Sequence, residues 1–177
     1  MNNNLRWESY VFMKGVAKIQ SFWREHVKTK ERNVLFILGK GFDIRMNEGI
    51  KHLIGQGNNV TIQCLLITYD EGLDSSSKDY QLYADQNFQE LQGLSHITIE
   101  SKNIELWKGK GRNKRRIGDK EAADLFSSYS DLQDFTDIIV DISALPRGIY
   151  FSLIGKLLTL IDINKTSDCL KIFKKSS

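Results

Sequence analysis

The chain has 177 residues, 41% of them hydrophobic and 27% charged, with a formal net charge of +3 at pH 7. This balance excludes a disordered chain and suffices for one domain with a hydrophobic core. The mildly basic pI near 8.8 does not by itself indicate nucleic-acid binding. Such binding has to be inferred from where the positive charges lie along the chain. Cys64 and Cys169 form no C-x-x-C pair, which argues against a disulfide scaffold or zinc knuckle and favours the reducing cytoplasm.

The hydrophobicity pattern predicts neither a membrane span nor an export signal. The most apolar window, residues 149–163, contains Lys156 and Asp162 and is shorter than the roughly 18 apolar residues that a span requires. The first residues contain no uninterrupted apolar run of the signal-peptide kind. We therefore expect a soluble, cytoplasmic chain without a membrane partner. The three histidines show no metal-ligand spacing, so we expect no metal site.

The first predicted element is an amphipathic helix. Over residues 5–28, apolar side chains recur every three or four positions with charges between them, a pattern typical of a helix with one buried face. A polar, basic stretch separates this helix from the apolar segment that follows. We therefore divide the chain into an N-terminal helix and linker (1–32), an α/β domain (33–165) and a short basic tail (166–177).

Strand and helix patterns alternate along the α/β domain. Strands are predicted at 34–38, 60–69, 96–100 (with a continuation toward 106) and 137–143, and helices at 47–54, 78–91, 120–129 and 147–162. This alternation predicts a doubly wound α/β fold whose sheet of about four strands is mostly parallel. The simplest strand order is 3-2-1-4, with the alternating third strand near an edge. Such sheets bind ligands beyond the carboxyl ends of their strands, here strands one and four.

The first predicted strand ends in a glycine-lysine-glycine turn, Gly39 to Gly41. This turn resembles the first half of the G-x-G-x-x-G fingerprint of the Rossmann-like nucleotide-binding superfamily, with Ile44 in place of the third glycine. The resemblance implies that a phosphate approaches the backbone at Gly39 and Gly41, with Lys40 as a further ligand contact. The alternative is a permissive turn that merely follows a buried strand.

Acidic residues follow the first two predicted strands. Asp43 is expected either to cap the next helix or to serve as a catalytic base. Asp70 and Glu71 end the second strand, where an acidic residue of a Rossmann-type fold accepts hydrogen bonds from a ribose. Their alternative role is a solvated turn, since Asp, Glu, Gly and Ser are ordinary turn residues.

The most informative segment is 137–151, which surrounds the end of the fourth predicted strand. Asp141 lies in an apolar strand, where a carboxylate is costly to bury without a partner. Arg147 opens the last helix, where its charge opposes the helix dipole and calls for a nearby anion. We assign Asp141 as a catalytic candidate, and Ser143 and Arg147 as ligand contacts. The alternative is a structural ion pair between Arg147 and either Asp43 or Asp141.

A strongly basic loop joins the third and fourth predicted strands. It contains Trp107, Lys108, Lys110, Arg112, Lys114, Arg115, Arg116 and Lys120. Cations close to an aromatic ring are typical of surfaces that bind a phosphate backbone and stack a base. The alternative is an ordinary solvated charged loop. As the nucleic-acid candidates we take Trp107, Lys110, Arg112, Lys114, Arg115 and Arg116.

Three hypotheses follow. The first is a nucleotide-type or other phosphate-bearing ligand at the carboxyl ends of strands one and four, with hydrolysis or transfer on a nucleotide as the expected reaction class. The second is a nucleic-acid-associated module that acts through residues 107–120. The third is a non-catalytic scaffold, either a homo-oligomer or a shortened partner subunit. A nucleotide is the expected class of cofactor, and its identity is left open.

Overall fold

The computed structural model describes residues 13–28, 30–55, 59–70, 75–109 and 111–174, with side chains as far as Asn164 apart from that of Ser76. The strands are β1 (Arg32–Gly39), β2 (Val60–Asp70), β3 (Ile97–Glu105), β4 (Trp107–Lys108), β5 (Arg115–Arg116) and β6 (Asp137–Val140). The helices are α1 (Val16–Lys28), α2 (Glu48–Ile54), α3 (Gln81–Gln92), α4 (Gly118–Ala123) and α5 (Arg147–Lys174).

The main sheet has four parallel strands in the order β3-β2-β1-β6. Because β6 is the fourth predicted strand, the predicted fold class and the order 3-2-1-4 are confirmed. Gly39 pairs with Ile67 of β2, and Val34 pairs with Asp137 of β6. The third predicted strand lies at an edge, as its alternating polarity indicated. The ends of β1 and β6 are neighbours, so their following loops meet at the carboxyl edge.

Helices cover both faces of the sheet, which explains the continuous burial of β1. On one face, Leu35 and Ile37 pack with α4 and with Ile149 and Leu153 of α5. On the other face, alternate strand residues such as Phe36 pack with side chains of α1, α2 and α3. A strand covered on both sides needs apolar residues at every position. Cys64 belongs to the second face, where burial raises the pKa of its thiol to about 12.

The N-terminal helix docks at the amino edge of the sheet. Val27 is buried, and the Nε2 atom of His26 lies 2.7 Å from Oδ1 of Asp137, at the start of β6. Arg32 donates to the backbone oxygen of His26 and lies 3.6 Å from Oδ2 of the same aspartate. The predicted helix is confirmed over Val16–Lys28, and its predicted beginning in residues 5–12 lies outside the described residues.

Several element boundaries differ from prediction, among them the ends of α4, α5 and β6. The helix predicted over 120–129 ends at Ala123, because Asp131 accepts hydrogen bonds from the backbone N–H groups of Ser127 and Ser128 and closes a 3-10 turn instead. The last helix was expected to end at residue 162 and continues to Lys174. The fourth strand ends at Val140 instead of 143, because the Ser143 N–H donates to Asp141 Oδ1 and turns the chain.

None of the helices in the described part of the chain is long and apolar enough to cross a membrane.

Candidate functional site

The loops after β1 and β6 meet at the carboxyl edge of the sheet, where the sequence predicted a site. Ideal Cβ atoms placed on Gly39 and Gly41 would collide with the segment that follows β6. At Gly39 the Cβ would strike the carbonyl oxygen of Ala144 and lie 2.8 Å from Cδ2 of Leu145, and at Gly41 it would lie 2.8 Å from Cβ of Ala144. Both glycines are therefore needed for close packing of two chain segments.

This glycine corner is closed by the protein itself. Tyr69, near the end of β2, donates a hydrogen bond of 2.9 Å from its hydroxyl to the carbonyl oxygen of Ala144. That carbonyl thus sits over Gly39, in the space that a phosphate would need in order to reach the glycine backbone. Gly39 and Gly41 do not adopt positive φ, so their small size serves close packing of the turn after β1, while ligand contacts by the two glycines stay a prediction.

Lys40 points away from the corner toward α3. Its Nζ atom lies 2.7 Å from Oδ1 of Asp85 and 5.2 Å from the centre of the Phe88 ring. The hydrogen bond from Lys40, followed by one from Gln81, lowers the pKa of Asp85. Lys40 therefore holds the loop against α3, and a ligand would have to compete with Asp85 for it.

Asn87 of α3 is a second anchor of this loop, and sequence analysis missed it. Its side-chain amide donates hydrogen bonds of 2.9 and 3.0 Å to the carbonyl oxygens of Gly41 and Asp43. A lone asparagine on a helix gives no signal of such a role, because the contact joins positions more than forty residues apart in sequence. The loop after β1 is thus fastened by α3 on one side and by the Ala144 segment on the other.

Both carboxylate oxygens of Asp43 are hydrogen-bonded to Arg45. Its Oδ1 accepts hydrogen bonds from the Arg45 backbone N–H and Nε, both 2.9 Å, and its Oδ2 accepts one of 2.6 Å from Nη2. The side-chain hydrogen bond from Arg45, followed by the backbone one, lowers the pKa of Asp43 to about 2. The prediction that Asp43 caps the next helix is wrong, because α2 begins at Glu48 and its N-cap is Asn47. Asp43 instead closes the turn that precedes α2.

Asp141 follows β6 directly and is half-buried. Its Oδ1 accepts a hydrogen bond of 2.9 Å from the Ser143 N–H, and its Oδ2 faces α2, only 2.8 Å from where a Cβ on Gly49 would lie. Arg147 is exposed, and within the described residues it forms no ion pair. The alternative considered for Arg147, a structural pair with Asp43 or Asp141, is therefore not formed among the described residues, and Asp43 pairs with Arg45.

The predicted basic loop contains a small β-hairpin. Strand β4 pairs antiparallel with β5, with Trp107 opposite Arg116 and Lys108 opposite Arg115. Gly109 and Gly111 adopt positive φ angles of 87° and 54°, which glycine allows without strain and which reverse the chain between the strands. Sequence analysis predicted only a flexible loop here, because two-residue strands leave no periodicity to detect.

The cations of the hairpin that the structure describes are exposed and form no ion pair with a described carboxylate. The residues Lys108, Arg112, Lys114, Arg115 and Arg116 are all exposed, and none of them pairs with a carboxylate in the parts of the chain that the structure describes. Trp107 is 42% exposed, and the Nζ atom of Lys114 lies 4.8 Å from its ring centre. Lys110, a predicted contact, lies outside the described residues.

The side chain of Arg116 connects the basic hairpin with the start of α5. An ideal Cβ on Gly148, the second residue of the helix, would lie 2.5 Å from Nη2 and 3.0 Å from Cζ of Arg116. The guanidinium therefore rests on the first turn of α5, next to Arg147. Sequence analysis placed Arg116 and Arg147 in separate hypotheses, and the structure brings Arg116 to the helix turn that Arg147 begins. The only sequence signal was the glycine after Arg147, which leaves room for a side chain from elsewhere.

The other predicted contacts lie around this edge. Asp70 ends β2, is exposed, and is in register with Glu105 of β3. Glu71 lies outside the described residues. An aromatic pair that sequence analysis missed stands on the α3 side, where Phe42 and Tyr80 stack with ring centres 4.8 Å apart and are 43% and 46% exposed.

Within the described residues, no cluster of three or more His, Cys, Asp or Glu side chains is arranged to hold a metal ion. Comparison with protein-family models found no match, and comparison with curated proteins found none either.

Proposed function

We propose that the chain is a Rossmann-like domain that binds a phosphate-bearing, nucleotide-type ligand at the carboxyl edge of its sheet. The phosphate lies between the basic hairpin and the first turn of α5. The observation that carries this proposal is the contact of Arg116 with Gly148. It puts a guanidinium that has no acidic partner among the described residues on the start of a 28-residue helix.

Electrostatics supports this position. The N-terminus of a helix has a partial positive charge, so a cation there is unfavourable by about 0.3–1 kcal/mol. Arg116 and the neighbouring Arg147 both add positive charge at this end of α5. A bound phosphate reverses the sign of the interaction, because it accepts hydrogen bonds from guanidinium groups and from backbone N–H groups at a helix start. In α5 the N–H groups of Ile149 and Tyr150 already donate to the Pro146 carbonyl oxygen, which leaves those of Arg147 and Gly148 for the phosphate.

The proposed site is displaced from the glycine corner. Ala144 occupies the space above Gly39, so in this proposal Gly39, Lys40 and Gly41 shape the loop and do not cradle the phosphate. Ser143 and Arg147 remain ligand contacts because they border the start of α5. Asp70 remains the candidate for ligand hydroxyl groups because it is exposed at the same edge.

A hydrolytic or transfer reaction would need a base, and the two predicted aspartates differ in suitability. Asp43 has a pKa of about 2, with both carboxylate oxygens engaged by Arg45. A carboxylate with so low a pKa is a weak base at neutral pH. Asp141 is the better candidate, so the proposal assigns any proton abstraction to it. The buried thiol of Cys64 is free, consistent with a reducing cytoplasmic setting for this activity.

The test is calorimetric titration with ATP, ADP and pyrophosphate of the wild type, Arg116→Gln and Arg112→Gln. Both variants remove one cation from the hairpin, and the three atoms nearest an ideal Cβ on Gly148 of α5 all belong to Arg116. We expect Arg116→Gln to weaken binding at least about tenfold, as the loss of a charge-assisted hydrogen bond does, and Arg112→Gln to change it less than about twofold. Equal losses in the two variants, or no binding by the wild type, would contradict the proposal.

A second candidate function is nucleic-acid binding along the hairpin. The specific observation is the exposed Trp107 ring with Lys114 over its face, next to cations that have no acidic partner among the described residues. Such a surface binds a phosphate backbone while a base stacks on the ring. Here the triple variant Arg112/Arg115/Arg116→Ala should abolish binding of a single-stranded oligonucleotide, and wild-type affinity should fall steeply with salt. Binding that is insensitive to salt would exclude this candidate.

A further inference from the structure

Among the described strands, β6 is the last of the main sheet on one side, and an uncharged groove runs along this edge between β6 and α5. It has a volume of about 400 Å³, and Leu132, Ile138, Val140, Leu158 and Ile161 are among its lining residues. No charged side chain among the described residues lines it. We propose that this groove is the interface of a two-fold symmetric dimer, in which β6 and α5 pack against the same elements of a second copy of the chain.

The two edges of the sheet differ in the way that this proposal requires. The β3 edge is protected by charge, with Glu100 and Lys102 exposed and 2.7 Å apart. Charged residues on an edge strand are a common protection against pairing with another chain. The β6 edge has no charged residue after Asp137, and its isoleucines and valine are only half-buried. Strand β6 thus has the composition of an interior strand at an edge position.

Helix α5 also has more apolar surface than its own sheet covers. Ile149, Leu153, Leu157 and Leu160 form the face that packs on the sheet. Ile154, Leu158 and Ile161 follow one another at spacings of four and three, so they form a second apolar stripe beside the first. A helix with apolar residues on two faces is typically covered on two sides.

A second copy is the occupant that suits both features. An unpaired strand edge is self-complementary, because β6 can pair antiparallel with β6 of the partner about a two-fold axis. The apolar stripe of α5 then meets the same stripe, so an uncharged surface faces another uncharged surface. Asp137, the one charge on β6, is already paired with His26 and Arg32, so the dimer brings no unpaired carboxylate to the interface.

The apolar surface also extends beyond the groove. Ile142, just after β6, is 49% exposed, and Phe151, one turn before Ile154 on α5, is 65% exposed. A stable dimer buries about 800 Å² per partner, and these side chains enlarge the contact toward that area. Pairing through β6 would join two four-stranded sheets into one continuous sheet and place β6 in its interior.

The test is sedimentation equilibrium of the full chain from about 1 to about 100 µM. We expect a wild-type dimer, and we expect Leu158→Lys and Val140→Lys each to raise its dissociation constant by at least about 30-fold, the effect of a central interface residue. The matched control is Leu82→Lys on α3, a leucine that is 66% exposed on a helix that covers the sheet face opposite α5, and this variant should leave the constant unchanged.

Circular dichroism establishes that each variant is folded, and Ile161→Lys replaces Leu158→Lys if that variant does not fold. A wild type that is monomeric at about 100 µM overturns the proposal, since the groove is then open or covered by something else. A dimer whose dissociation constant is the same in the groove variants and in Leu82→Lys also overturns it. The outcome is independent of nucleotide binding, because the groove and the hairpin contribute different residues.

Discussion

Two glycine corners lie at the carboxyl edge, the first at Gly39 after β1 and the second at Gly148 in the first turn of α5. They differ in what occupies the space that a side chain on the glycine would fill. At Gly39 the occupant is backbone, the carbonyl of Ala144, held in place by the Tyr69 hydroxyl. At Gly148 the occupant is the guanidinium of Arg116, the mobile end of a long side chain. Backbone cannot move aside without disturbing the sheet, whereas a guanidinium can. A glycine next to a predicted site therefore serves close packing at Gly39 and the placement of a charge at Gly148.

The largest expected effect is at the first corner. Gly39→Ala would force a Cβ into the Ala144 carbonyl, so we expect the free energy of unfolding to fall by about 3 kcal/mol, at the upper end of overpacking effects. Urea denaturation measures it. The control is Gly155→Ala in α5, where nothing lies within 4 Å of the new atom and helix propensity should raise stability by up to about 1 kcal/mol. Similar values for the two variants would refute the packing argument.

The next effect tests the hydrogen bond that holds Ala144 over Gly39. Tyr69→Phe removes the hydroxyl that donates to the Ala144 carbonyl, so the free energy of unfolding should fall by about 1 kcal/mol. Tyr83→Phe, at a tyrosine that is 52% exposed, should change it by less than about 0.5 kcal/mol. If both tyrosines tolerate the change equally, the Ala144 segment is held by packing alone.

A substitution at the second corner, Gly148, should change ligand affinity much more than the free energy of unfolding. Gly148→Ala displaces only the flexible end of Arg116, so we expect the free energy of unfolding to change by less than about 1 kcal/mol. Affinity for the phosphate-bearing ligand should nevertheless fall, by about tenfold if one charge-assisted hydrogen bond is lost. Denaturation and calorimetry on one preparation measure both. A loss of stability as large as that of Gly39→Ala would remove the distinction between the corners.

The smallest effect concerns the ion pair beside the first corner. The pKa of Asp43 is lowered from 3.8 to about 2, so its stabilisation is complete above the unfolded pKa and is lost as the pH falls from 3.8 toward 2. Because Arg45 is exposed, we expect at most about 1 kcal/mol. In Asp43→Asn the free energy of unfolding should vary less over this pH interval than in the wild type. An unchanged acid dependence would show that the pair contributes nothing.

The sheet could be predicted from the sequence because its signals are local. The continuous apolar run of β1 indicates a strand covered on both faces, and the alternation of strands with helices indicates parallel crossovers. The hairpin and the end of α4 were missed because they depend on single residues, the glycines at 109 and 111 and the capping carboxylate of Asp131.

The candidate site could be predicted only in part, because its contacts join distant segments. The sequence correctly placed the loop after β1 beside the loop after β6. It did not indicate that Ala144 would pack on Gly39, that Asn87 would hold the loop from α3, or that Arg116 would reach Gly148. A glycine has the same sequence pattern whether a ligand or the chain itself approaches it, so its role has to come from the packing.

The pairing of β1 with β6 has a consequence for how the chain folds. Asn33 and Thr136, hydrogen-bonded at the start of this pairing, are 103 residues apart in sequence, so the central strand is synthesised early and acquires its last neighbour late. Closing so long a loop is entropically unfavourable and slows folding. Until β6 docks, one side of β1 is exposed, and that interval is when aggregation of newly made chains should be greatest.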